Sequence, residues 1–168
     1  MNSTFLLNMV RFIIFLALQV TLFSKIDLFG YINPFPYILF IILYPVNANK
    51  YGLLFSSFAL GLLLDCFFNS GGVHAAACVT IAYIRPLIFK FAFGLSYEYQ
   101  TVRLNDSLTP ERFSFLILIV IIHQLVLFVL EFFNFEYLWS ILLRTIVSSL
   151  FTLLLCILII YLIKPSKR

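Results

Sequence analysis

The chain has 168 residues, of which 63% are hydrophobic and only 11% are charged, and it carries a formal net charge of +4 at pH 7. Soluble domains carry about 25% charged residues, so this composition excludes a water-soluble globular protein and makes a lipid bilayer the expected solvent. The basic residues stand singly at the ends of apolar runs, a distribution that sets membrane orientation and argues against nucleic-acid binding.

Long apolar runs with few charges predict transmembrane helices. Backbone groups find no partners in lipid, so a spanning segment must be a helix or part of a closed barrel. The runs are too long for the short alternating strands of a barrel. We therefore predict an all-α fold, a bundle of six transmembrane helices that forms one membrane domain over residues 1–168. The spans are expected at about 5–24, 32–48, 51–68, 73–93, 113–133 and 137–163.

The first apolar run, residues 5–23, is predicted to be an uncleaved first span. Arg11 lies early in this run, as a basic residue does in a secretory signal peptide. The residues that follow, Val20 to Lys25, contain no small-x-small cleavage site. The run is therefore expected to stay in the protein as a helix.

The second apolar run, residues 34–46, is the weakest of the predicted spans. It contains three prolines and is shorter than the roughly 20 residues that cross about 30 Å of hydrocarbon. It is therefore either a tilted or extended crossing or a re-entrant segment. Because residues 28–49 contain no charge, enough neutral chain is present to cross, and we expect a full span.

The third and fourth spans are predicted to form a tight hairpin that is the packing centre of the protein. Small residues recur at four-residue spacing across this pair, which puts them on shared helix faces and lets two backbones approach closely. We expect these residues and one acid to form the helix-packing and partner interface: Ser57, Gly61, Asp65, Gly71, Gly72, Ala75 and Ala76.

The polar segment 94–112 is predicted to be a cytoplasmic loop that leads into the fifth span. Thr109, Pro110 and Glu111 form a good helix start, with a hydroxyl cap, proline at the first position and an acid in the first turn. Pro86 lies inside the fourth span, where it removes a backbone hydrogen bond and predicts a kink.

The basic residues predict that both chain ends are cytoplasmic. With six spans and a cytoplasmic N-terminus, the outer loops hold only Lys25, as the positive-inside rule requires. The cytoplasmic segments then hold seven basic residues: Lys50, Lys90, Arg103, Arg112, Lys164, Lys167 and Arg168. Five spans would place the N-terminus outside and fit the charges less well.

Several ionisable residues lie within the predicted spans, where each charge costs about 2.5–3.5 kcal/mol near a helix centre and needs a partner or water. These intramembrane polar residues are Arg11, Asp65, His74, Arg85, Glu131 and Arg144. At about 1.5 Å of rise per residue, Asp65 and Arg144 come out at similar depths. They therefore either pair across the bundle or reach outer water independently, while Glu131 lies close enough to the outer end to meet water.

The remaining polar residues predict structural roles and no catalytic, cofactor or metal site. His74 is expected to cap or hydrogen-bond the turn before the fourth span. Arg85 is expected to reach carbonyls freed by Pro86 or to extend to the cytoplasmic side. The other histidine, His123, has no acidic residue four positions away, and no glycine-flanked serine, phosphate loop or H-E-x-x-H motif occurs.

Residues 61–65, 71–75 and 83–86 read GLLLD, GGVHA and YIRP. Together they resemble the rod shape-determining protein MreD family, which is similar in length, has several spans with a G-L-L-x-D segment, and follows it with a small-residue turn into the next helix. The motif content covers about residues 58–86, and the length and hydropathy profile of the whole chain agree with it.

The resemblance implies a non-enzymatic scaffold in the bacterial inner membrane, without a cofactor. Such a protein supports peptidoglycan synthesis and cell shape as part of the cell-elongation complex. Its expected partners are MreC, the actin-like MreB, a SEDS polymerase and a transpeptidase. Residues 61–65 and the outer turn 69–72 are the expected contact surface for them.

A six-span chain of this size also resembles the substrate-binding membrane subunit of energy-coupling-factor transporters. Such a subunit binds a vitamin or a similar ligand near its outer face. A cluster of Asp65, His74, Arg144 and Trp139 at that depth would suit this alternative. Small-residue surfaces serve both classes, so ligand binding is the property that distinguishes them.

Overall fold

A computed structural model describes residues 3–26, 33–46, 48–94 and 109–163. Most of the predicted cytoplasmic loop 94–112 and the basic residues after position 163 lie outside the described residues. The described residues form α1 (Ser3–Thr21), α2 (Leu39–Ile42), α3 (Lys50–Phe68), α4 (Val73–Phe93), α5 (Pro110–Phe132) and α6 (Leu138–Ile163). Short 3-10 helices lie at Phe23–Lys25, Pro36–Ile38 and Phe135–Tyr137.

The predicted all-α fold is confirmed within the described ranges, which contain no strand. Side chains on the outside of the bundle are large and apolar, such as Phe55 at 76% exposure and Leu154 at 57%. Such a surface is unfavourable in water and is the natural surface against lipid. Among the residues that the structure describes, five helices are long and apolar enough to cross a membrane: Phe5–Lys25, Lys50–Phe68, Val73–Phe93, Pro110–Phe132 and Leu138–Ile163.

The predicted second span, 32–48, is not a full-length helix, which corrects the expectation of a sixth long one. Its helical part is the 3-10 helix Pro36–Ile38 followed by α2, about 12 Å of rise against about 30 Å of hydrocarbon. The prolines explain the short length, since each lacks an amide hydrogen and disfavours helix in the residue before it.

Residues 34–43, which we call the core segment, form the centre of the bundle. They contact α1, α4 and α6 directly. Tyr37, Ile38, Leu39 and Ile41 are all 0% exposed. The continuous apolar run from which a sixth span was predicted is therefore buried against protein on every side.

Side chains from the first and last helices bind the start of the core segment. The Phe35 amide donates a hydrogen bond to Thr152 Oγ1 on α6 at 3.2 Å. The Gln19 side-chain amide on α1 donates to the Pro34 carbonyl at 3.1 Å. Because irregular backbone is tolerated at membrane depth only where its polar groups find partners, these contacts allow the segment to be buried there.

Two arginines bind the other end of the core segment. Arg85 Nη2 donates to the Ile42 carbonyl at 3.2 Å and to the Tyr44 carbonyl. Arg11 Nη1 donates to the Leu43 carbonyl at 2.9 Å. The last carbonyls of a helix have no partner within it, so the guanidinium groups replace the next helical turn.

Arg85 binds backbone carbonyls, as predicted, but not the carbonyls that the prediction named. Its guanidinium binds the carbonyls of Ile42, in the core segment, and of Tyr44 just after it, and not those of the turn opened by Pro86. The side chain does not extend into water, because Arg85 is 4% exposed. Helix α4 continues through Pro86 to Phe93.

The direction of each helix follows from its neighbours. The start of α1 lines one groove with the start of α3, and the end of α1 lines a cavity with the end of α3, so these two helices run parallel. The turn 69–72 reverses the chain, and Phe89 of α4 meets Phe115 of α5 with ring centroids 4.2 Å apart. We call the end where α1, α3 and α5 begin the Lys50 end, and the end where α4 begins the His74 end.

Both predicted helix boundaries with a clear signal are present. The Thr109 hydroxyl accepts a hydrogen bond from the Arg112 amide, and Pro110 is the first residue of α5. Asn69, Gly71 and Gly72 have φ angles of 53°, 65° and 98°. This left-handed backbone, which favours glycine and asparagine, reverses the chain between α3 and α4.

Candidate functional site: the hairpin end and its cavity

Helices α3 and α4 touch through their backbones at Gly61. A Cβ atom on Gly61 would lie 2.5 Å from the Ala75 Cα and 2.6 Å from both the Ala75 nitrogen and the His74 carbonyl oxygen. Real Cβ atoms do not approach backbone so closely. Only glycine therefore fits at this crossing, where Gly61 of the predicted packing face meets Ala75 of the next helix.

Asp65 caps the N-terminus of α4 from the end of α3. Its Oδ2 accepts from the Ala75 amide at 2.9 Å, and its Oδ1 accepts from the His74 amide at 2.9 Å and from Ser70 Oγ at 2.5 Å. The first amides of a helix lack intrahelical partners and carry the positive end of its dipole. A carboxylate that is 6% exposed is stabilised there.

His74 connects this cap to the aromatic core. Its Nδ1 lies 2.9 Å from Ser70 Oγ and 3.1 Å from Asp65 Oδ1, which agrees with the predicted hydrogen bonding of the turn. Its ring lies among aromatic rings, with centroid distances of 5.9 Å to Phe35 and 6.0 Å to Tyr37. The other nitrogen, Nε2, is buried and has no hydrogen-bond partner.

The predicted pair between Asp65 and Arg144 is wrong. Every hydrogen-bond donor to Asp65 comes from residues 70–75, and its ion pair is with His74. The Arg144 guanidinium lies over the Phe132 ring, 5.2 Å from its centroid. The alternative of two independent side chains also fails for Asp65, which is buried in the hairpin.

Burial divides the predicted packing and partner interface into two groups. Ser57, Gly61, Asp65 and Ala75 are buried within the chain, so they hold α3 to α4 and do not form a free surface. Gly71 and Ala76 are exposed, and Gly72 is half-buried. Of the seven residues in this set, those that a partner could reach therefore lie in the turn and on the outward face of α4.

A cavity of about 710 Å³ opens at the His74 end. The core segment, the α3–α4 turn and the ends of α1 and α5 surround it. Its polar lining comes from five elements and includes Gln19, Asn33, Asn69, Ser70, His74 and Glu131. Gln19 is 2% exposed, and its side-chain oxygen has no hydrogen-bond partner. The cluster predicted for a ligand site was Asp65, His74, Arg144 and Trp139. Of these residues His74 lines the cavity, whereas Arg144 and Trp139 do not.

A second buried polar group lies deeper in the bundle. The Tyr37 hydroxyl and His123 Nε2 are 2.8 Å apart, and both residues are 0% exposed. Beside them, the Gln124 side-chain amide donates to Thr152 Oγ1 at 3.1 Å. Sequence reasoning assigned these residues no role, although adjacent His123 and Gln124 inside an apolar run were a signal that this face of α5 is internal.

Within the described ranges, no group of three or more histidine, cysteine, aspartate or glutamate residues lies close enough to hold a metal ion. The polar contacts at the hairpin end join elements of the fold and border the cavity at the His74 end. In comparisons with known proteins, no family model, no curated protein and no solved structure matches this chain.

Proposed function

We propose that the chain crosses the membrane six times, with both ends and the Lys50 end of the bundle in the cytoplasm. The parallel arrangement of α1 and α3 supports this, because the chain between them must return to the end at which α1 began. The core segment, with the chain on either side of it, would make that return. Charge supports the orientation, since Lys50, Lys90 and Arg112 lie at the Lys50 end and Lys25 lies at the other.

We further propose that this protein is a non-enzymatic scaffold of the cell-elongation complex in a bacterial inner membrane. One observation carries the proposal beyond the motif resemblance. The residues that resemble the MreD family serve rigid internal packing: Gly61 fits α3 against α4, Asp65 and His74 cap α4, and Arg85 binds the core segment. A scaffold needs a fixed shape, so the motif of a scaffold family would be expected at the residues whose contacts hold the helices together.

In this proposal the protein acts by presenting a rigid surface to its partners, MreC, MreB, the SEDS polymerase and the transpeptidase. The turn at Gly71 and the outward face of α4 at Ala76 are accessible. Lateral packing of a partner helix against small residues requires no change inside the bundle.

Co-purification from the native bacterium tests the scaffold. A tagged chain should recover MreC, and its depletion should make rod-shaped cells round. Ala76→Trp, which adds bulk to an exposed position, should reduce recovery of MreC while the amount of folded protein stays constant. Leu154→Trp on the exposed face of α6 is the matched control. Equal recovery of MreC by all three proteins would contradict the proposed surface, and absence of MreC from the wild-type sample would contradict the scaffold.

The cavity at the His74 end favours a second candidate, the substrate-binding subunit of a vitamin transporter. Its volume of about 710 Å³ lies in the range of small-molecule sites. Its polar groups come from five separate elements, as in a pocket that recognises one ligand. Retention of a vitamin by the purified protein, lost in Gln19→Leu, would support this candidate against the scaffold. A sample free of small molecules that also recovers MreC would exclude it.

A further inference from the structure

A groove of about 510 Å³ lies at the Lys50 end, between the first turns of α3 and the second half of α4. It is lined mainly by apolar side chains, and several of them face outward from the bundle. Tyr51 is 80% exposed, Tyr83 72% and Leu87 67%. In a membrane-spanning bundle, outward side chains at the start of a helix meet lipid near the interface, where tyrosine is favoured. The groove is therefore open to the side, toward lipid.

The charged residues that line this groove, Lys50 and Arg85, are both positive, and none of the described acidic residues lines it. Lys50 is exposed at the start of α3 and Arg85 is buried in the wall. The groove also meets the N-terminus of α3, where the Asn49 side chain binds only the Tyr51 amide and the helix dipole adds further positive potential. Its charge therefore complements an anion.

The burial of Arg85 is a second observation that favours an anion in this groove. The residue is 4% exposed, its Nη2 donates to two backbone carbonyls, and its buried Nε has no hydrogen-bond partner among the described residues. Its guanidinium lies over the Phe89 ring, 5.1 Å from the centroid. In the described part of the chain no carboxylate forms an ion pair with it. A buried cation without a counter-charge is costly, and an anion in the groove would reduce that cost.

We propose that this groove binds the headgroup of an anionic phospholipid. The phosphate would take its countercharge from Lys50 and Arg85, and an acyl chain would lie along the apolar lining beside Tyr83 and Leu87. The lateral opening favours a lipid over a dissolved anion, since a membrane lipid reaches the site within the bilayer. Basic pockets between transmembrane helices on the cytoplasmic side bind anionic headgroups by this chemistry. The proposal does not depend on the scaffold function.

Native mass spectrometry of the purified full-length protein tests it. Dioleoyl-phosphatidylglycerol and dioleoyl-phosphatidylcholine are added in equal amounts, and the bound fraction of each is measured. We expect retention of phosphatidylglycerol over phosphatidylcholine. Lys50→Gln should lower this preference about fivefold, the effect of one cation at a lipid surface. Lys90→Gln is the matched control, because Lys90 is an exposed cation at the same end of the bundle and does not line the groove.

Equal retention of both lipids by the wild-type protein would overturn the proposal. An equal loss of preference in Lys50→Gln and Lys90→Gln would also overturn it, since it would indicate only diffuse surface charge. Inorganic phosphate at 10 mM, on the order of a thousand times the protein, serves as the dissolved anion. If it displaces phosphatidylglycerol completely, the site is one for free phosphate and not for lipid. Arg85→Gln should also lose the preference if it folds, and the two lysine variants decide the matter if it does not.

Discussion

Replacing Gly61 by alanine should destabilise the protein more than the addition of one methyl group suggests. The new Cβ would lie 2.5 Å from the Ala75 Cα and 2.6 Å from two more backbone atoms. Because backbone cannot rotate away as a flexible side chain does, α4 must move by about 1 Å to restore van der Waals contact. That movement shifts the amides of His74 and Ala75, which donate to Asp65 at 2.9 Å.

The magnitude follows from three effects. Overpacking costs about 1–3 kcal/mol, weakening of hydrogen bonds to a charged group costs up to about 1.5–3 kcal/mol, and alanine gains about 1 kcal/mol in helix propensity. The net expected loss for Gly61→Ala is therefore about 2–5 kcal/mol. Equilibrium unfolding by titration with sodium dodecyl sulfate in mixed micelles measures it.

Gly71→Ala is the matched control, in the same hairpin and with the same added methyl group. A Cβ atom on Gly71 meets nothing within 4 Å, and only its φ of +65° opposes alanine, at about 1–2 kcal/mol. If Gly61→Ala is as stable as the wild-type protein, or loses no more than Gly71→Ala, the direct backbone contact between α3 and α4 is refuted.

Three further changes test the buried polar contacts by the same unfolding measurement. Asp65→Asn removes the charge from the α4 cap and turns an amide group toward helix amides, so a loss of about 1.5–3 kcal/mol is expected. Arg85→Gln leaves carbonyls of the core segment without partners and should cost about 1–3 kcal/mol. Tyr37→Phe, His123→Leu and their double variant form a cycle with an expected coupling of about 0.5–1.7 kcal/mol, the range for buried interhelical hydrogen bonds in membranes.

Each of these expectations has a distinct contrary outcome. An Asp65→Asn protein as stable as the exposed-site variant Glu136→Gln would show that the cap contributes nothing. An equal loss of unfolding free energy in Arg85→Gln and Lys90→Gln would show that Arg85 stabilises the protein no more than an exposed cation does. Strict additivity in the Tyr37 and His123 cycle would mean that their contact stabilises no more than the two side chains do separately.

Features set by neighbours in sequence were predictable. The hairpin turn required left-handed backbone and has Asn69 and two glycines, and the start of α5 has a hydroxyl cap at Thr109 followed by proline. The predicted fourth span, 73–93, has the same bounds as α4. In each case the residues that determine the turn or the helix boundary lie within a few positions of it, so the local sequence is enough to predict it.

Features that depend on which helices are neighbours were not predictable. Depth matching placed Asp65 and Arg144 at one level but carried no information on the direction in which each points. The observed neighbours are α3 with α4, α4 with α5 and α5 with α6, so the nearest donors to Asp65 are on α4. The core segment was predicted to be a long helix like the other spans, because hydrophobicity does not distinguish burial in protein from burial in lipid.

The hydrogen bond between the Phe35 amide and Thr152 constrains the order of biosynthesis. These residues are 117 positions apart, so the ribosome releases the core segment long before it makes the acceptor. Until the last helix leaves the translocon, this amide must remain hydrated or hold a temporary partner, since an unsatisfied amide in hydrocarbon costs several kcal/mol. The hydrogen bonding of the core segment is therefore completed only when α6 has been made. A protein truncated before Thr152 would lack the acceptor for the Phe35 amide.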